Sequence, residues 1–118
     1  MPSREKRRPA RLVLASATLL LLVAHSITTT AQTPPADLAR KNGCFSCHGL
    51  VHKQVGPGFA QIAERYRGDS DAPARLTEKI REGSVGTWGR VIMPRQAHVS
   101  EADARALAHW VLSRSAAR

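Results

Sequence analysis

The chain has 118 residues, enough for one domain, and only 4% are aromatic, so a core built from side chains alone would be thin. A domain of that size commonly needs a metal, a disulfide or a cofactor to complete it. The formal charge of +9 invites a nucleic-acid reading, but no basic stripe with interleaved aromatics runs through the chain, and that class is set aside.

The first segment carries much of the charge. Arg4, Lys6, Arg7, Arg8 and Arg11 precede an apolar run of 13 residues, Leu12 to Ala24, short for a membrane span and laid out like a secretory leader. Small residues suited to cleavage follow at Thr29-Thr30-Ala31 and at Ala24-His25-Ser26, and the first is preferred; an uncleaved anchor is the alternative. With residues 1–31 read as a signal peptide, the remaining 87 hold 13 Lys plus Arg and 8 Asp plus Glu, a charge of +5. Such a surface suits an acidic protein partner or an anionic membrane face. The expected localisation is periplasmic.

Residues 32–35 read as a short linker, and residues 36–118 as the domain. A first helix is expected from about Asp37, an acid well placed at a helix N-terminus, through Leu38 and Phe45. Gly43 falls inside it and points either to close packing or to a break before the next motif.

That motif is Cys44-Phe45-Ser46-Cys47-His48, the attachment signature of a c-type haem. On a helical turn, positions i, i+3 and i+4 share a face, so two sulfurs and an imidazole reach the same planar ligand. Cys44 and Cys47 would carry thioether bonds, and His48 would offer a ring nitrogen to the iron. Zinc is disfavoured: there are two cysteines in all, and His25, His52, His98 and His109 show no paired spacing. A thioredoxin-like dithiol lacks its strand context.

Leu50 to Gly58 reads as loop. Phe59, Ile62, Ala63 and Tyr66 then fall at helical spacing. Asp71 and Pro73 open a further helix carrying Leu76 and Ile80, with Gly83 as its stop. Ser84 to His98 reads as loop, with no convincing strand. Ser100 to Asp103 resembles a capping box, followed by Ala104, Leu107, Ala108, Val111 and Leu112 on one face, with Trp110 flanking it. The fold class is all-α, with four helices.

An electron-transfer haem needs a second axial ligand. Met93 is favoured: it lies in a Pro-flanked loop rather than a helix stripe, and its thioether is soft and neutral. His52 is too near His48 to cross the porphyrin, and His98 is the rival.

Gly43-Cys44-x-x-Cys47-His48, Val55-Gly56-Pro57-Gly58, Ile80-Arg81-Glu82-Gly83, Gly86-Thr87-Trp88-Gly89, Met93-Pro94 and Leu107-Ala108-x-Trp110-Val111 together resemble the bacterial class I cytochromes c of the small cytochrome c-551 type, in order over residues 36–114. The resemblance implies four helices around one covalently bound haem. It implies that the Pro57 carbonyl accepts a hydrogen bond from His48, and that Trp88 donates its indole N–H to a haem propionate. It also implies a helix crossing of Gly43 and Phe45 against Leu107 and Trp110. The family usually reads Met-Pro-Pro-Asn; here Arg95 and Gln96 follow Met93-Pro94.

The function expected is a one-electron shuttle between a respiratory donor complex and a terminal reductase or oxidase, not an enzyme and without a small-molecule substrate. A dedicated cytochrome subunit of one periplasmic oxidoreductase is the alternative. A haem enzyme or gas sensor would require Met93 to leave the iron, and a thiol-redox protein would require free Cys44 and Cys47. Arg95 and Lys53 are expected on the rim that meets redox partners.

Overall fold

The computed structural model describes residues 31–115. The expected signal peptide, residues 1–31, lies outside them apart from Ala31. In order come α1 (Pro35–Lys41), a 3-10 turn (Cys44–Ser46), α2 (Phe59–Arg65), α3 (Ala72–Glu82), β1 (Ser84–Gly86), β2 (Gly89–Met93) and α4 (Glu101–Leu112).

The other three helices all pack on α4. Its inner face shows why: Ala104 and Ala108 are wholly buried, and the small residues let Ala39 of α1, also wholly buried, and Leu76 of α3 come close. Leu107 joins Leu38 and Val99 in one apolar cluster, while Val111 joins Phe59 and Ile62 in another; the two meet at half-buried Cys44, Phe45, Ile80 and Trp110. Among the described residues, no large side chain is fully enclosed. The fold is mostly helical, with four α-helices and one two-stranded sheet among the described residues.

The helix ends follow their capping chemistry. The hydroxyl of Ser100 accepts from the Asp103 backbone N–H at 3.1 Å, as the capping pattern predicts. Asp71 takes the N-cap position of α3 without a side-chain cap, Pro73 lies in its first turn, and Gly83 ends it at φ 79°, ψ 175°.

Two expectations are corrected. The first helix begins at Pro35, since proline suits the first helical position, and stops at Lys41 rather than running into the cysteine motif. Gly43 breaks it, at φ +72°, and is not a packing glycine: a Cβ there would meet only Ser46 Oγ, at 3.9 Å. The crossing with α4 therefore uses Leu38, Ala39 and Phe45. Second, Ser84–Met93 is an antiparallel hairpin, with Ser84 opposite Met93 and Gly86 opposite Gly89. Its strands are too short and too glycine-bounded to show alternation.

Candidate functional site

The Cys44–His48 segment is a tight turn even without the α-helix. The N–H of Cys47 and that of His48 both bond the Cys44 carbonyl, at 3.2 and 3.0 Å. The chain then doubles back. The Gly56 N–H reaches the Cys47 carbonyl at 2.8 Å, and the Phe59 N–H reaches that of Gly49 at 2.9 Å.

This return fixes the His48 ring on three sides. Nδ1 lies 2.7 Å from the Pro57 carbonyl oxygen. A carbonyl can only accept, so Nδ1 carries the hydrogen, and in the neutral ring Nε2 is the nitrogen left with its lone pair. Phe59 stacks on the ring, with centroids 5.2 Å apart and planes at 18°. Gly56 lies against it so closely that a Cβ would come within 3.0 Å of Cε1. Phe59 extends the packing outward, meeting Phe45 and Trp110 edge-on at 5.6 and 5.1 Å.

Cys44, Cys47, His48, Pro57, Trp88 and Met93 all line one cavity of about 240 Å³. His52 and His98 do not line it, and both are exposed. Burial pushes the Cys44 thiol above its ordinary range, partly opposed by a backbone hydrogen bond. Among the described residues, no group of three or more His, Cys, Asp and Glu side chains is placed to hold a metal ion.

Residues beyond the six site candidates lie in or beside the same space. Lys79 lines the cavity and donates from Nζ to Thr87 Oγ1 at 3.1 Å. The Arg65 guanidinium sits 4.9 Å from the Trp88 ring centre. Phe59 reads in the sequence as a helix-face residue, and only the return of the 49–58 loop brings it under His48. Gln96 lines the cavity too, but its amide donates to the Pro94 carbonyl at 3.1 Å. Arg95, expected on the rim, is exposed and has its Nε 3.1 Å from Glu82 Oε2.

An apolar chamber entered by two thiols and an imidazole, with the Lys79 cation at its Trp88 end, suits a flat apolar ring that carries iron and two carboxylates. The fold and site define a c-type cytochrome.

The family model for cytochrome c matches residues 36–115, and the chain belongs to that family. Cytochrome c-552 of Nitrosomonas europaea is 49% identical over 78 residues, 66% of this chain and 76% of that protein. Cytochrome c-551 of Allochromatium vinosum is 45% identical over 92 residues, 76% of this chain and 98% of that protein. The crystal structure of wild-type Nitrosomonas europaea cytochrome c552 superposes with a TM-score of 0.66 at 48% identity, covering 68% of this chain and 99% of that one. The class 1 cytochrome MtoD of Sideroxydans lithotrophicus superposes at 0.57 with 31% identity, covering 68% and 91%. The chain is a small cytochrome c that binds one haem c, and its homologues carry electrons.

Proposed function

We propose that this cytochrome is a periplasmic one-electron carrier between a respiratory donor complex and a terminal reductase or oxidase. Cys44 and Cys47 hold the haem covalently, and His48 and Met93 are its axial ligands. The observation that supports this most is the convergence of those four side chains, from the Cys44–His48 turn and the end of β2, on one apolar cavity.

When bound, the haem supplies a one-electron iron couple. The chain supplies its setting. The bond from His48 to Pro57 fixes the ring and raises the basicity of Nε2. Met93 contributes a neutral thioether, which favours the reduced state and raises the potential. Trp88 stands at the cavity wall to receive a propionate on its indole N–H, with Lys79 behind it. With His48 and Met93 both holding the iron, the group would have no open site for a substrate and would serve to carry electrons. Its partners are redox proteins: exposed Val55, Val85 and Val91 border one shallow recess with Lys53, a small apolar landing area with a cation at its edge.

The basic-then-apolar pattern of residues 1–31 supports export, which matches a haem attached outside the cytoplasm. Among the described residues, no helix is long and apolar enough to cross a membrane.

A pyridine haemochrome spectrum with the intact mass of the exported protein tests the reading. One covalent haem, and a sulfur-to-iron charge-transfer band in the oxidised form that Met93→Ala removes, is the expected result. Zinc with no haem, or a band removed by His98→Ala instead, overturns it.

A further inference from the structure

The segment Met93-Pro94-Arg95-Gln96 is fastened to the C-terminal end of α3 at three points. Helix ends leave carbonyls without intrahelical partners; here the Gln96 N–H bonds the Ile80 carbonyl at 3.2 Å. Gly83, which ends α3, lets the segment run against it: a Cβ there would stand 2.6 Å from the Met93 carbonyl oxygen and 3.0 Å from the Arg95 nitrogen. Across that junction, Arg95 Nε meets Glu82 Oε2 at 3.1 Å. The guanidinium also lies at the negative end of α3, where a cation is favoured. Arg95 stands where the family pattern has a second proline, so the ion pair belongs to this chain.

We propose that Arg95, through its pair with Glu82, is a positioning residue that latches the Met93 segment onto the end of α3. The latch sets how often that segment opens and lets an external ligand into the cavity. This rests on Met93 being an axial ligand. The role is separable from any at the partner-facing rim: a rim cation alters encounters with charged partners, whereas a latch alters the entry of a neutral molecule, on which steering has no hold.

Imidazole is the probe. Mixed in excess with the oxidised holoprotein, it enters at the rate the segment opens, followed by loss of the sulfur-to-iron charge-transfer band. The two side chains are half exposed, 62% and 50%, so the effect is that of a surface pair. Glu82→Gln and Arg95→Gln should each speed opening about two- to five-fold at low salt, the range of an exposed ion pair. The double variant should open no faster than either single, because all three break one interaction. Wild type should approach the variants as salt rises. Arg105→Gln, which breaks the similar Arg105–Glu101 pair on α4, should leave opening unchanged.

Hydrogen exchange at the Gln96 amide gives a second readout, independent of what binds the iron; it should quicken in the same variants. Unchanged opening and exchange in both single variants would overturn the latch, as would single effects that multiply in the double. If exchange quickens while the wild type shows no charge-transfer band, the latch stands and the axial role of Met93 falls.

Discussion

The two walls of the cavity are built by different means. The His48 wall comes from residues 44–59, closed by main-chain bonds of 2.8 and 2.9 Å, with the ring buried between Phe59, Gly56 and Pro57. The Met93 wall stands on an exposed hairpin, tied to α3 by one main-chain bond, the Lys79–Thr87 hydrogen bond and an ion pair open to water. Ile92, beside Met93, is 68% exposed. Local stability follows burial and backbone protection. One wall is therefore a fixed mount and the other a closure that opens. Ligand exchange should always begin on the Met93 side.

The largest effect should come from removing what both walls share. Cys44→Ser with Cys47→Ser leaves a thin core with nothing to fill the cavity, and the exported chain should lose cooperative unfolding altogether. A dispersed amide spectrum for that variant would contradict this. Next, Met93→Ala should leave covalent haem intact while carbon monoxide binds the reduced form. Truncating a partly buried methionine should also cost about 2–5 kcal/mol in denaturant unfolding. If stability and gas binding are both unchanged, the Met93 wall is not closed by Met93.

A matched pair of substitutions separates the walls. Gly83 has φ 79°, ψ 175°, a region reserved for glycine, and faces the Met93 carbonyl. Gly83→Ala should cost roughly 1–3 kcal/mol or more and disturb only the charge-transfer band. Gly56→Ala pushes on the His48 ring and should cost about 1–3 kcal/mol while shifting the imidazole resonances. Each change affecting both walls equally would erase the distinction. The smallest effect belongs to the rim. Lys53 is exposed and borders a shallow recess with Val55, Val85 and Val91. Lys53→Glu should slow electron exchange with an acidic blue-copper protein a few-fold at low salt, with wild-type and variant rates converging as salt rises.

The sequence discloses the two walls unequally, for the same reason. Cys44, Cys47 and His48 lie within five residues, so local spacing alone places them on one turn. Helices α2, α3 and α4 announce themselves through Phe59 and Ile62, through Asp71 and Gly83, and through Ser100. The Met93 side is harder to read. Arg95 and Glu82 carry no periodicity linking them, and Ser84–Met93 looks like loop because three- and five-residue strands between glycines leave no alternation. The stop at Gly43 depends on a backbone angle, and the sequence admits both a break and a packing role. The place of Phe59 under His48 depends on a loop return that no single-residue signal marks.

The two tryptophans give these walls an optical signature. Trp88 lies in the turn of the hairpin, and Trp110 lies in the aromatic cluster with Phe45 and Phe59; both line the cavity. A bound haem absorbs where indoles emit, so energy transfer should hold both dark in the native protein. In a chain that keeps only one of them, returning emission dates the opening of a single wall. Heating or denaturant should light Trp88 first, and Trp110 only when α4 leaves α1.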